Sequence, residues 1–302
     1  MQSFLRRWQD RLAQLDTCAR GVAQLLRAEG RLREAVGRIE ARQLAERGAA
    51  KLCANEFQVY SQWGEDGILQ HLIRLVPVPH RIFVEFGVED YSEANTRFLL
   101  VNNQWSGLVL DGSAANVRAI CRGELYWKHN LKAVQAFVTR ENINDLLRAQ
   151  GVTGEIGLLS VDIDGNDYWV WEAIDVVTPA IVAVEYNSRF GPERAVTVPY
   201  DPQFVRSQAH HSCIYYGASL AALVALGRRK GYAFVGSNSA GNNAFFVRRD
   251  LRPETLPELT SAAGYVALQF REARDAQGHL AYLSLEEEQA LLNRLPLVEI
   301  ES

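Results

Sequence analysis

The chain has 302 residues, 48% of them apolar and 23% charged, with a formal net charge of −4. That length and balance suit a globular chain with a sizeable core, one large domain or one domain with appendages, and nothing in them suggests a nucleic-acid partner. Its four cysteines, Cys18, Cys53, Cys121 and Cys213, are scattered with no C-x-x-C pair, which argues against a zinc site or disulfide framework and fits a reducing compartment.

Residues 1–51 carry eleven Arg and Lys against six Asp and Glu, a net of +5, leaving −9 for the remainder. Residues 3–50 read as one long helix. Its apolar positions are Phe4, Trp8, Leu12, Leu15, Ala19, Val22 and Leu26, alternately about four and three apart, followed by a second register of Leu25, Leu32, Ala35, Val36 and Ile39. The pattern is heptad-like with one skip. Three readings stay open for residues 1–52: a coiled coil making a homo-oligomer, a basic helix in peripheral contact with an anionic membrane, or a helix packed back on its own domain. No run of 18 apolar residues occurs, so a cytoplasmic protein is expected, with the inner membrane face as the place of any membrane contact.

From Phe57 the texture changes. Strands are predicted at RIFVEFGV (81–88), SGLVLDGS (106–113), LKAVQAFVT (131–139), EIGLLSVDIDG (155–165) and PAIVAVEYNS (179–188). Helical patterns lie at Asn95–Asn102, Ala114–Arg122, Glu141–Ala149, Tyr168–Val176 and Ser219–Lys230. GYAFVGSN and NNAFFVRRD, joined by Ser239-Ala240-Gly241, form a hairpin. Alternation of this kind predicts an α/β fold, a doubly wound Rossmann-like sheet with an antiparallel edge hairpin over residues 53–250. Residues 251–302 read as a polar helical appendage, with a capping box at Ser284 and Glu287 opening a helix that runs to about Leu292.

The strand ends carry the chemistry, because open α/β sheets bind ligands outside the carboxyl ends of their strands. These ends read Glu85-Phe86-Gly87, Asp111-Gly112-Ser113, Asp162-Ile163-Asp164-Gly165-Asn166-Asp167 and Glu185-Tyr186-Asn187. Four strand ends are acidic. A carboxylate after the second strand can accept both hydroxyls of a ribose, and Gly87 lets the backbone approach a ligand. No full G-x-G-x-x-G is present to cradle a pyrophosphate. A nucleoside bearing a sulfonium and an amino acid suits such an acidic site.

The order VEFG, LVLDGS, LLSVDIDGNDYWVWEAI, VAVEYN and GYAFVG resembles class I S-adenosylmethionine-dependent methyltransferases, and is most similar to the FkbM-like members. The segment YSQWGEDGIL (60–69) resembles the opening of bacterial sugar-modifying members. The likeness spans roughly residues 57–250. It implies a methyltransferase sheet and S-adenosylmethionine as cofactor. Glu85 and Gly87 would line the methionine and ribose region, Asp111 would bind the ribose, Gly112 and Ser113 would lie near adenine, Asp162 beneath the methyl group and Gln62 at the amino-acid end. The family's first loop often carries further glycines; here Val88, Glu89, Asp90 and Tyr91 follow Gly87, which implies that Asp90 and Asn95 reshape it.

Some members hold Mg²⁺ with acids from strands four and five. Here Asp162, Asp164, Glu185 and Asn187 could supply an all-oxygen site for Mg²⁺ or another divalent cation that activates a substrate hydroxyl. In the alternative, Asp162 and Asp164 face cofactor and solvent, and Asp167 caps the next helix. His210 or His211 could act as general base or metal ligand, or belong to an ordinary polar loop. The aromatic residues around Trp63, Tyr168, Trp169, Trp171, Tyr186, Phe190, Tyr215 and Tyr216 divide between a platform for a sugar and plain core. Asn238, Asn242 and Asn243 could reach substrate or merely shape their turn.

The expected activity is O-methylation of a hydroxyl on a small-molecule or glycan acceptor, in a surface polysaccharide or a glycosylated natural product. Two rivals remain open. One is a D-x-D glycosyltransferase holding a nucleotide diphosphate through Mn²⁺; the other is a non-catalytic scaffold.

Overall fold

The computed structural model describes residues 2–47 and 51–301. Positions 48–50 of the predicted first helix and the side chain of Phe4 lie outside the described residues. In chain order the elements are α1 (Gln2–Arg47), α2 (Glu65–Leu75), β1 (Ile82–Phe86), α3 (Arg97–Asn103), β2 (Ser106–Asp111), α4 (Ala114–Arg122), α5 (Glu124–Lys128) and β3 (Leu131–Gln135). Then follow α6 (Ile143–Ala149), β4 (Gly154–Val161), α7 (Asp167–Ala173), β5 (Val177–Glu185), β6 (Val196–Thr197), α8 (Arg206–Ala209) and α9 (Leu220–Arg229). The chain closes with β7 (Tyr232–Ser237), β8 (Asn243–Arg248), α10 (Ser261–Gly264), α11 (Leu285–Leu292) and β9 (Val298–Glu299).

Seven strands form one sheet in the order β3-β2-β1-β4-β5-β8-β7. The first five are parallel, and β8 enters antiparallel beside β5, with β7 at the edge. This is the predicted doubly wound, Rossmann-like sheet with its edge hairpin. From β1 the chain winds outward to β2 and β3, then crosses back to β4 and β5, so the switch point falls between β1 and β4. Register sets Glu85 level with Val109 of β2 and Ser160 of β4, each two residues before an acid, Asp111 and Asp162.

The central strands are apolar on both sides because helices cover both faces. One face packs Val84, Leu159, Val182 and Phe246 under Trp171, Leu223 and Leu226. The other packs Phe83, Val109, Leu158 and Phe245 against Leu69, Leu72 and Leu99. Each such fully buried side chain contributes roughly 1.5–3 kcal/mol. Two elements go beyond the sequence reading. α2, which buries Ile68, Leu69 and Leu72, stands where only an opening segment was read. β6 and β9 pair into a separate two-stranded sheet.

Residues 251–301 differ from the expected helical appendage. They are mostly irregular, with α10 only four residues long, although the Ser284–Glu287 capping box and the end of α11 at Leu292 are as predicted. Ala273 and Leu292 pack in one apolar cluster with Phe190, Val196, Ile214 and Tyr215.

α1 meets the domain on one face. Gly37 is buried against Val59 and Phe98, the Arg33 guanidinium donates to the Val59 carbonyl, and the Tyr60 hydroxyl donates to Glu34. Leu12, Leu15, Val22, Leu25 and Leu26 all remain exposed. Among the described residues no helix is long and apolar enough to cross a membrane.

Candidate active site

Two adjoining hollows open along the carboxyl edge of the sheet. The larger, about 260 Å³, is lined by Gln62, Glu85, Gly87, Asn95, Asp162, Asp164 and Glu185 among others. Its neighbour, about 200 Å³, is lined by Gly87, Asp111, Gly112, Asp162 and Asp164 together with Phe137, Val138, Ile163 and Phe204. Glu85, Asp111 and Asp162 therefore line one continuous edge, with Gly87, Glu89, Asp162 and Asp164 common to both hollows.

Glu85 ends β1 almost fully buried. Its carboxylate accepts the Asn95 amide at 2.9 Å, the Thr96 amide at 3.1 Å and the Thr96 hydroxyl at 2.5 Å. Burial still outweighs these bonds and pushes its pKa up to about 7. Asn95 in turn donates to Ser160 Oγ at 3.1 Å. Glu85 and Asn95 thus hold the loop after β1 in place while lining the larger hollow.

Asp111 ends β2 and also organises that loop. Its carboxylate accepts the Glu89 and Ser113 amides, each at 2.8 Å, and the Asn116 side chain at 3.1 Å. Glu89 and Tyr91 adopt positive φ, +48° and +65°, a conformation that glycine usually supplies. The loop thus reaches a tight shape without added glycines by hydrogen-bonding its backbone to Asp111. Asp90 instead accepts the Ser92 amide on the exposed side and lines neither hollow. Gly87 itself has φ +70°, and its missing side chain makes room for the backbone of Asp162 rather than only for a ligand. Ser113 lines neither hollow; it is the N-cap of α4, accepting the Asn116 amide.

The end of β4 gathers carboxylates. Asp162, Asp167 and Glu185 each place an oxygen within 4.8 Å of the others. Burial, then Asp164, Asp167 and Glu85, drives the Asp162 pKa well above the ordinary carboxylate range; burial, then Asp162, does the same to Glu185. One oxygen of Glu185 is buried with no hydrogen-bond partner. Asp167 accepts the Ile163 and Gly165 amides, at 2.8 and 2.9 Å, and its pKa rises to about 6 through burial.

The predicted metal set is therefore revised. Asn187 is fully buried and already committed: its side chain donates to the Ile214 and Tyr216 carbonyls and accepts the Arg189 amide. Asp164, at φ +57°, is largely exposed and ion-paired with Arg206 at 2.7 Å. Asp167, read as a helix cap, is the residue that instead clusters with Asp162 and Glu185.

His210 and His211 are also displaced. Neither lines the hollows; the His210 ring bonds Ser212 Oγ at 2.7 Å and the two imidazoles lie 4.1 Å apart. Burial and the neighbouring His211 lower the pKa of His210. The same segment contributes Arg206 instead. Its guanidinium bridges Asp164 and Glu272, lies 3.8 Å over the Tyr216 ring, and lines the larger hollow. Glu272 and Phe270 come from the C-terminal irregular segment, and Asn242 and Asn243 from the β7–β8 turn. Sequence reasoning missed Arg206, Glu272 and Phe270, which lie in stretches without apolar periodicity. Of the sugar-platform aromatics, Tyr168, Trp171, Tyr186 and Tyr216 are buried in the interior, while Trp63 stacks on Phe270 with ring centres 5.1 Å apart.

No protein-family model matches the chain, and no curated protein matches it. Among solved structures it is similar to the N-terminal domain of EvdMO1 with S-adenosylhomocysteine bound, at 14% identity over 55% of this chain and 72% of that one, with a TM-score of 0.35. It is also similar to an S-adenosylmethionine-dependent methyltransferase from Clostridium acetobutylicum, at 8% identity over 61% and 89% of the two chains and a TM-score of 0.40. An O-methyltransferase from Bacillus cereus in complex with S-adenosylhomocysteine matches at 14% identity over 55% and 72%, with a TM-score of 0.32. At these identities and scores the likeness assigns neither activity nor substrate to this chain.

Proposed function

We propose that this chain is an S-adenosylmethionine-dependent O-methyltransferase acting on a sugar hydroxyl, in a surface polysaccharide or a glycosylated natural product. One observation carries the reading: three adjacent parallel strands end in Glu85, Asp111 and Asp162 around two joined hollows. The residues fit the cofactor. Asp111, which already accepts three hydrogen bonds, has one acceptor site left for a ribose hydroxyl, and Phe137, Val138, Ile163 and Phe204 offer an apolar slot for a base. Glu85, Asp162 and Glu185 give the larger hollow a wall of carboxyls whose ionised form a sulfonium and an ammonium would favour. When bound, the cofactor supplies an electrophilic methyl group.

The acceptor's place in this reading is the rest of the larger hollow, where Arg206, Glu272, Asn242 and Asn243 can hydrogen-bond a polyol beside the ring of Phe270. The neighbouring carboxyls Asp162 and Glu185 take over the base role first read into the histidines; their ionised form is the one that can accept a hydroxyl proton, and positive charge beside them favours that form.

Calorimetry with S-adenosylhomocysteine tests the reading: saturable binding supports it. Binding of UDP with Mn²⁺ in its place would favour the glycosyltransferase, and no binding of either ligand the scaffold. A cytoplasmic location belongs to the same reading, supported by the four free thiols.

Metal assistance is a finer part of it. Asp162, Asp167 and the unpartnered oxygen of Glu185 are the donors that would hold a divalent cation. Magnesium titrated calorimetrically should bind the wild type and not Glu185→Gln; turnover indifferent to EDTA would remove the cation from the reading.

A second copy of the chain is the partner proposed for α1. The exposed positions Leu12, Leu15, Ala19, Val22 and Leu26 follow a coiled-coil seam. In a parallel pair, Arg11 of one copy flanks that seam opposite Asp16 of the other, a favourable charge match repeated by symmetry. The contacts with the domain, around Arg33, Glu34 and Gly37, lie further along α1, C-terminal to Leu26.

A further inference from the structure

Glu65 begins α2 fully buried, and its carboxylate is ringed by donors. One oxygen accepts the Trp63 and Gly64 amides at 2.9 and 3.0 Å. The other accepts the side-chain amides of Asn238 and Asn243 at 2.7 and 3.0 Å. One side chain thereby ties the loop after Gln62 to the β7–β8 turn. Gln62, Asn242 and Asn243 line the larger hollow; Glu65 stands behind them.

A carboxylate surrounded by four N–H donors only accepts, so it dictates which end of each amide faces it. Asn243 turns its Nδ2 to Glu65 and is left with Oδ1. Asn238 spends its Oδ1 on the Gly241, Asn242 and Asn243 main-chain amides, each at 3.1 Å. Its Nδ2 goes to Glu65 and, at 2.7 Å, to the Oδ1 of Asn242, so Asn242 is left with Nδ2. Among the described residues, Asn243 Oδ1 and Asn242 Nδ2 take no hydrogen bond, and neither atom is sealed from solvent. Yet the two residues are only 4% and 3% exposed. Their one free polar atom each opens onto the hollow they line.

The wall therefore offers one acceptor and one donor of fixed identity. A carboxylate or phosphate brings no proton for Asn243, and an ammonium brings no acceptor for Asn242. Hydroxyls bring both. We propose that Asn243 Oδ1 and Asn242 Nδ2 select a neutral polyol by two of its hydroxyls, and that Glu65 is the positioning residue that sets their polarity. The assignment rests on the polyol acceptor proposed above, and its test is separable from methyl transfer.

The test is a ligand-detected NMR titration of the full chain with mannitol, a neutral polyol. In Glu65→Gln the remaining oxygen stays with the Trp63 and Gly64 amides, which cannot turn, and the new N–H group faces Asn243. Asn243 then rotates and presents Nδ2 to the hollow. Mannitol affinity should fall about tenfold or more. Glu65→Gln/Asn243→Asp returns an acceptor both to the new amide and to the hollow, and should bind mannitol within about threefold of the wild type. Asn242→Ala keeps all four bonds of Glu65, removes the donor alone, and should also weaken mannitol about tenfold. Affinity for S-adenosylhomocysteine, measured on each protein, should stay within about twofold and shows that the variants are folded. No mannitol binding to the wild type, undiminished binding in Glu65→Gln or Asn242→Ala, or no recovery in the double variant would overturn the proposal. So would a parallel loss of S-adenosylhomocysteine affinity, which would put the amide pair on the cofactor. Mannitol results as expected in a protein that binds no S-adenosylhomocysteine would support the polyol site and sink methyl transfer alone.

Discussion

The main-chain oxygen of Asp162 stands 1.7 Å from where a β-carbon on Gly87 would begin. Two strand ends are thus locked together by the absence of a side chain. Gly87→Ala would have to push the β1 and β4 ends apart and hold alanine at φ +70°. A loss of roughly 3 kcal/mol in stability is expected, read from denaturant unfolding, with S-adenosylhomocysteine binding lost at the same time. A variant of native stability would show that the contact does not constrain the site.

Asp111 and Asp164 should separate binding from turnover. Asp111→Ala removes the acceptor that holds the Glu89 and Ser113 amides and the proposed ribose contact. Affinity for S-adenosylhomocysteine should fall about 100-fold or more. Asp164→Ala frees one side of Arg206 without touching Asp111, and should leave cofactor affinity within about twofold while lowering kcat. The reverse pattern in the binding assay would exchange the two roles.

Buried acids set the pH response. Glu85 titrates near 7, and Asp66 and Asp167 near 6, all raised by burial above their values in the unfolded chain. The folded protein therefore binds these protons more tightly, and its stability should fall as pH rises from about 4 to 7. Thermal melts of the ligand-free protein should give a higher Tm at pH 5.5 than at pH 7.5. A saturating cationic ligand should narrow that gap, because it compensates the ionised carboxylates. An unliganded Tm that rises across this interval would contradict the assignment.

The proposed oligomer rests on the exposed side of α1. Leu15→Glu/Val22→Glu places charge in the proposed seam and leaves Glu34 and Gly37 against the domain. Sedimentation should show the wild type as an oligomer and the variant as a monomer with unchanged cofactor affinity. Equal masses for the two proteins would leave the helix without that role.

The sheet was legible because each buried strand is a short apolar run ending in an acid or glycine; Ala114–Arg122 matches α4 end for end. Glu85, Asp111 and Asp162 were legible for the same reason, since strand ends of one sheet must lie along one edge. Side-chain direction was not. Asn187 and Asp167 sit in equally polar runs, yet Asn187 turns inward to the Ile214 and Tyr216 carbonyls while Asp167 joins the carboxylates. Arg206 is one of many arginines in the sequence, and what distinguishes it is Glu272, sixty-six positions later, which sequence order alone does not bring near.

The stacked rings of Trp63 and Phe270 have a practical consequence. Phe270 lines the larger hollow, and Trp63 follows Gln62, which lines it too. A molecule that settles against Phe270 changes the surroundings of an indole only partly shielded from water. The protein thus carries an intrinsic optical gauge of what fills the larger hollow: emission from Trp63, isolated by comparison with Trp63→Phe, would follow its occupation in real time without any label.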